Sequence, residues 1–275
     1  MAQISAADVS KLRKSTGAGM MDCKKALQEA EGDFEKAIEI IRKKGQAIAN
    51  KRADRDASEG VTISKAGADG TFGVVVALSC ETDFVAKNED FVKLAFAILD
   101  KALETKPADL EALKQQTLDG KVISDIIVEQ MGVIGEKIEL AHYDKVEAES
   151  VVPYIHHGNK LATLVGFNKT IDLEKGKDIA MQIAAMNPVA IDESDVPANI
   201  IEKEKEIGRE QALKEGKPEN IVDKIAEGKL KKYFKENTLL NQEFTKDNKK
   251  TVKEYLQESD KELTVTSFKR FTLNA

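Results

Sequence analysis

Three histidines, two cysteines and one glycine-rich turn are the parts of this 275-residue chain with the residue types for chemistry. His156 and His157 stand side by side on what reads as a strand, so their rings point to opposite faces and do not easily share one ion. For none of the three histidines, His142 included, does a carboxylate or thiol sit nearby at ligand spacing. An exposed histidine used for partner contact stays open. Cys23 and Cys80 are too few and too far apart for a disulfide framework or a CxxC site, and read as packing residues in a reducing compartment. Gly17-Ala18-Gly19 lacks the GxxxxGK[ST] spacing and falls between two helices with no strand before it. It reads as an interhelix turn in which glycine supplies a positive φ. The GxSxG, HExxH and HxE-with-PCxxC arrangements are missing. No catalytic residue, no metal and no cofactor is expected.

One stretch asks for another kind of chemistry. CETDFVAKN, residues 80 to 88, follows the most apolar run of the chain, Phe72 to Leu78, and changes character abruptly. Two readings are open from the residues alone. In one, Thr82 or Asp83 starts the following helix and Phe84 tucks into the core under its first turn. In the other, Phe84 stands exposed as a wedge, with Asp83 beside it to bond a partner's backbone or side chain. An aromatic anchor flanked by polar groups is what a binding hot spot requires.

The elements that must position these residues are marked by punctuation. Residues 4 to 45 spell three short helices: Ser5 caps the first and Gly17 ends it, Asp22 caps the second until Gly32, and Asp33 starts the third, with Phe34, Ala37, Ile38 and Ile41 at helical spacing before Gly45. KRADRDASEG, residues 51 to 60, is polar and unpatterned, a linker. From Val61 the period changes to that of a β-hairpin whose second strand, TFGVVVALSC, is buried on both faces. A helix follows from about Asn88, then helical stretches DLEALKQQT and VISDIIVEQMG, then the alternating segment KIELAHYDKVEAESVVPYIHHG. LATLVGF and DIAMQIAAM restate the strand-then-helix plan at an offset of 88 residues, which sets Asp83-Phe84 opposite Ile171-Asp172. If that repeat is real, the fold alone does not require Asp-Phe there. Residues 195 to 235 read as two amphipathic helices, the first lined by Val196, Ile200, Ile201, Ile207 and Leu213, the second by Ile221, Val222, Ile225, Leu230, Tyr233 and Phe234. Gly216-Lys217-Pro218 breaks them into an antiparallel hairpin with arms of roughly 25 to 30 Å. TVKEYLQES and LTVTSFKRFTL supply a helix and a closing strand.

Composition narrows the partners. A third of the residues are charged, yet the net charge is only −6, which argues against the basic stripe of a phosphate-backbone binder. Aromatics make up 5% and tryptophan is missing, which disfavours a base-stacking groove. No apolar run approaches the roughly 20 residues that span a bilayer, and MAQISAADVS lacks a basic n-region and an apolar core. The expectation is a cytoplasmic chain with no membrane partner and no direct nucleic-acid contact.

TGAGMMDCKKAL (residues 16 to 27), CETDFVAKN (80 to 88), HGNKLATLVGF (157 to 167) and EGKLKKYF (227 to 234) together resemble the bacterial elongation factor Ts family, in order and over essentially the whole chain. The resemblance implies a guanine-nucleotide exchange factor for elongation factor Tu, the GTPase that delivers aminoacyl-tRNA to the ribosome. It implies an α+β fold: an N-terminal three-helix UBA-like bundle (residues 1–52) docking on the GTPase domain, a linker (53–60), and two related strand-loop-helix core subdomains with antiparallel sheets (61–141; 142–192 with 236–275). A helical hairpin inserted at 193–235 is associated with dimerisation in some members. Ubiquitin binding is not implied. By the same resemblance Thr82, Asp83, Phe84 and Val85 match the loop that dislocates magnesium from the partner, its aromatic entering between two helices of the GTPase domain. His157 matches a histidine near the contact with the partner's third domain, and Met20 is a further, weaker contact. Here His156 stands beside it, and Ala162 replaces a frequent glycine. The chain stops at FKRFTLNA, where longer members continue into a terminal helical module, so that module's contacts are expected to be missing. Two other classes stay open: an adaptor that binds partners without changing nucleotide release, and a small-molecule enzyme using His157 or Cys80.

Overall fold

The computed structural model describes residues 4–273. Its first helices, α1 (Ala6–Thr16), α2 (Met20–Glu29) and α3 (Phe34–Lys51), close on a small core of Leu12, Cys23, Ala26, Leu27 and Ala37. The Ser5 hydroxyl accepts from the Asp8 N–H at 3.1 Å while the Asp8 carboxylate accepts from the Ser5 N–H at 3.2 Å, a reciprocal cap. Gly17, at φ 71°, ends α1, and Asp33 caps α3 through the Lys36 N–H. Asp22 does not cap α2. Gly19 holds that position, and Asp22 lies in the first turn, favoured there by the helix dipole and paired with Lys44 of α3 at 2.5 Å.

Nor does α3 stop before Gly45; it runs on to Lys51. The glycine is needed for packing. A Cβ on Gly45 would lie 2.8 Å from the carbonyl oxygen of Val128, and one on Gly132 would lie 2.9 Å from the Gly45 Cα. Val128 and Gly132 belong to α7 (Ile123–Ile134), the helix that precedes the last strand of the first sheet, so α3 and α7 cross backbone to backbone.

β1 (Glu59–Ala66) begins inside the expected linker and pairs antiparallel with β2 (Phe72–Cys80). After the one-turn α4 (Asp83–Ala86) come α5 (Glu89–Thr105), α6 (Leu110–Lys114), the two-residue strands β3 (Thr117–Leu118) and β4 (Lys121–Val122), and then α7. β5 (Ile138–Glu147) returns along the other edge of β2, giving the order β1-β2-β5. The boundary expected between residues 141 and 142 thus falls inside β5, a strand of the first sheet along its whole length. A second antiparallel sheet has β7 (Leu161–Phe167) at its centre, between β6 (Ser150–Ile155) and β10 (Val265–Thr272).

All nine residues of β2 are buried, because one face meets a helix and the other meets the second sheet. Val74, Val76, Leu78 and Cys80 pack with Phe91, Ala95, Ile98 and Leu99 of α5. On the opposite face a Cβ added to Gly73 would come within 2.8 Å of Val151 and 2.9 Å of Leu164, side chains of the second sheet. That sheet in turn covers its far face with α8 (Leu173–Met186) and α11 (Val252–Gln257), through Val165, Phe167, Ile179, Ile183 and Leu256. The result is an α+β arrangement of helices and antiparallel sheets. α8 starts at Leu173, well before the Asp178 that was expected to open it, and Asp172 caps it.

α9 (Ala198–Lys214) and α10 (Glu219–Asn237) form the antiparallel hairpin, with Gly216 at φ 72° in the turn. Its seam is narrower than the expected one. Ile207, Leu213 and Ile221 are exposed, and the buried line is Gly208, Ala212, Val222, Ala226, Leu230 and Phe234. Small residues win because the helices approach closely: a Cβ on Gly208 would lie 3.1 Å from the Ala226 Cα. β8 (Glu243–Phe244) and β9 (Asp247–Thr251) form a short pair before α11.

Candidate functional site

β2 ends at Cys80 and the chain turns twice within eight residues. Thr82 adopts an extended backbone (φ −123°, ψ 152°) and its hydroxyl accepts from the Val85 N–H at 3.4 Å, opening α4. Asn88 then caps α5, accepting from the Asp90 and Phe91 N–H groups at 2.9 and 3.2 Å. Between the two caps, Ala86 and Val85 turn toward the core of the first sheet. Phe84 turns the other way and is 82% exposed. Phe84 is therefore exposed and not tucked under the first helical turn, while Thr82 does start that turn, as the alternative reading has it. Leaving a phenylalanine in water forgoes about 1.5–3 kcal/mol of burial, so the local fold gains nothing from this residue. Asp83 binds the Lys87 ammonium at 2.6 Å, and that bond holds its carboxyl below the ordinary value, ionised at neutral pH.

The root of this turn is tied by two carboxylates, Glu136 from outside and the turn's own Glu81. Glu136, just past the Gly135 that ends α7, accepts from the N–H groups of Glu81 (3.2 Å) and Thr82 (3.1 Å) and from the Thr82 hydroxyl (2.7 Å). Glu81 accepts from the Lys137 N–H at 2.6 Å and from the Arg52 guanidinium at 2.7 and 2.8 Å. Burial opposes ionisation of Glu81, but the Lys137 N–H and Arg52 outweigh it and hold its carboxyl below the ordinary range. Lys137 also donates to the carbonyls of Ala53 and Arg55 at 2.9 and 3.0 Å. The exposed turn is therefore joined to the chain leaving α3. Neither Arg52 nor Glu136 stands out in the sequence. The one available signal is an acid directly after a helix-ending glycine, where the helix dipole disfavours it.

A groove beside the loop is lined by Phe84, Val85, Phe91, Gln130, Val133 and Gly17, so the α1–α2 turn and the Phe84 turn border one space. Met20, 62% exposed, opens α2 just beyond. His156 and His157 are not on a strand, since β6 ends at Ile155 and both lie exposed in the turn to β7. That turn is stapled to β1: the Asn159 carbonyl accepts from the Thr62 N–H at 2.6 Å, and Lys160 pairs with Glu59 at 2.8 Å. Glu59 is the register partner of Cys80, which places the His157 turn at the end of the first sheet where the Phe84 loop emerges.

The remaining reactive groups are structural. His142 stacks on Phe271 at 3.9 Å, with Asp144 3.5 Å away, between β5 and β10. Both thiols are buried, and burial, with the Glu136 charge, pushes Cys80 up to about 12. Among the described residues no group of three histidines, cysteines or acids is placed to hold a metal, and no helix is long and apolar enough to cross a membrane.

A profile of the family described as elongation factor TS matches residues 81–275. Similar proteins named elongation factor Ts come from Porphyromonas gingivalis (57% identical over 98% of this chain and 97% of that one) and Christiangramia forsetii (53%, over 99% of this chain and the whole of the other). Another, from Bacteroides thetaiotaomicron, is 44% identical over 99% of each chain. With that identity running along nearly the full length of each protein, the chain belongs to the elongation factor Ts family, translation factors that work by binding and not by bond chemistry.

Proposed function

We propose that this chain is the guanine-nucleotide exchange factor for elongation factor Tu, acting in the cytoplasm during translation elongation. It binds the GDP form, dislocates magnesium with the Thr82–Val85 turn and so promotes release of GDP, after which GTP can bind. The observation that carries the reading is Phe84, 82% exposed at the tip of a turn held rigidly at its root. A wedge must be apolar enough to gain on insertion and free enough to insert. Burying it in a partner recovers the roughly 1.5–3 kcal/mol that this chain forgoes. No bond needs to break. A factor that favours the nucleotide-free GTPase weakens GDP by the same ratio, and shifting the groups around magnesium removes the largest local charge holding the phosphates. Asp83, ionised beside Phe84, is suited to accept donors from the partner and fix the angle of entry.

In the same proposal the three N-terminal helices are a UBA-like docking module, and the two sheets with their helices are related core subdomains. Met20 and His157 add weaker contacts, and the hairpin of α9 and α10 is the dimerisation element where dimers form. The test is release of fluorescent GDP from elongation factor Tu, with the native chain and with Phe84→Ala. Because the side chain is exposed, the variant should fold with a stability within about 0.5 kcal/mol of the parent. A well-folded variant that has lost its acceleration supports the wedge. Equal acceleration by both chains would move the mechanism away from Phe84, and binding with no acceleration by either would make the chain an adaptor.

A further inference from the structure

We propose that Glu136 is the positioning residue of the Phe84 turn, the group that keeps the wedge presented before any partner arrives; this rests on the exchange reading above. The turn cannot hold itself. α4 has four residues, far too short to persist on its own, and the cap bond from Val85 to Thr82 is long at 3.4 Å. Phe84 supplies no packing. Val85 and Ala86 pack on the core and Lys87 pairs with Asp83 within the turn, but its entry from β2 is held by Glu136, whose Oε2 accepts from two consecutive backbone N–H groups and whose Oε1 accepts from the Thr82 hydroxyl. That last bond also orients Thr82, because a hydroxyl that donates to Glu136 turns a lone pair toward Val85. The capping interaction thus depends on a residue more than fifty positions away in sequence.

α7 offers no reason for an acid at this place. Its last carbonyls carry partial negative charge, which a lysine would complement and a carboxylate opposes. The bonds to the turn are the compensation visible in the structure. They are matched in the opposite direction by Glu81, which accepts from the N–H of Lys137, the residue after Glu136. The two segments therefore exchange bonds reciprocally, each carboxylate serving the other's backbone.

Glu136→Ala removes all three acceptor contacts without touching Phe84 or Asp83. The amides of Glu81 and Thr82 should then exchange hydrogen at least about tenfold faster in the free protein. GDP release should slow by about tenfold or more, as expected when a reacting or inserting group loses its aim by about an ångström. Glu136→Gln should keep most of the rate: its carbonyl oxygen can take the two N–H groups and its amide can donate to the Thr82 oxygen. In a Phe84→Ala background Glu136→Ala should cost little more, because a positioning residue acts through what it positions. Circular dichroism melting checks that the variants are folded, and the amide-exchange readout is confined to the turn. Unchanged amide exchange at Glu81 and Thr82, unchanged release by Glu136→Ala while Phe84→Ala is impaired, or an equal further loss in the Phe84→Ala background would each overturn the assignment of Glu136. Full release by Phe84→Ala would instead remove the wedge reading on which it rests, and the functional role of Glu136 with it.

Discussion

Gly45→Ala should destabilise this protein, although the same change on a free helix face would help it. In the interior of a helix, alanine is favoured over glycine by about 1 kcal/mol, and such replacements typically return about 0.4–1 kcal/mol where they fit. At Gly45 the new methyl carbon would stand 2.8 Å from the carbonyl oxygen of Val128 and 3.7 Å from the Cα of Gly132. Carbon–oxygen contacts relax near 3.3–3.6 Å, so α3 and α7 would have to part by roughly half an ångström or more. The obstructing atom is a backbone carbonyl oxygen, the other nearby atoms are backbone too, and no side chain can rotate away. Overpacking of this kind costs about 1–3 kcal/mol, more than the propensity gain, and leaves a net loss of about 1 kcal/mol. Urea unfolding followed by circular dichroism measures it as a lower midpoint, or as a separated first transition if the N-terminal helices undock. Gly132→Ala attacks the same crossing, at 2.9 Å from the Gly45 Cα, so the double variant should be non-additive. A Gly45→Ala protein more stable than its parent would show that the helices separate freely and that the crossing is not set by these glycines.

Two further expectations concern titrating groups. Neither Cys23 nor Cys80 should be alkylated by iodoacetamide at pH 8 in the folded state, since both are buried and the Cys80 thiol titrates only near about 12. Mass spectrometry should find both labelled only after denaturation, and rapid native labelling of Cys80 would restore the thiol-enzyme reading. Glu81, whose carboxyl is held below the ordinary value of 4.5, stabilises the folded state above that pH. This contribution is lost as acid protonates it in the folded protein, so thermal midpoints measured below about pH 4.5 should fall less steeply for Glu81→Gln than for the parent.

Much of the architecture was legible because single residues punctuate it. Ser5, Gly17, Asp33 and Asn88 cap or end the helices assigned to them, and the run from Phe72 to Leu78 is a strand buried on both faces. The errors share a cause: they concern residues whose role is set by a distant element. Gly45 reads as a stop until α7 is known to cross it, and Ile207 and Leu213 read as a seam until Gly208 and Ala226 bring the helices closer along another line. Strands of two residues such as β3 and β4 cannot display alternation at all. The same limit explains the site. Asp83 and Phe84 were visible as an odd pair after a strand, whereas Glu136 and Arg52 act from other segments and carry no local pattern.

The second sheet makes the same strand-to-helix connection in another way. There, β7 leads directly into one continuous helix, α8, started by Asp172, which accepts from the Glu174 and Lys175 N–H groups at 3.0 and 3.2 Å. That connection makes one capped helix start, and its Asn168 and Lys169 are tied to Thr264, Asp260 and Glu262 ahead of β10. After β2 the chain instead inserts an extra turn, uses two caps, leaves a phenylalanine in water, and recruits Glu136, Arg52 and Lys137 to hold the detour in place. Charge-assisted hydrogen bonds contribute about 1.5–3 kcal/mol each when partly shielded, enough in sum to offset the forgone burial of Phe84. Both connections are tied by side chains from distant segments, and the difference between them is the extra one-turn helix that leaves Phe84 in water, the feature on which the proposed exchange mechanism rests.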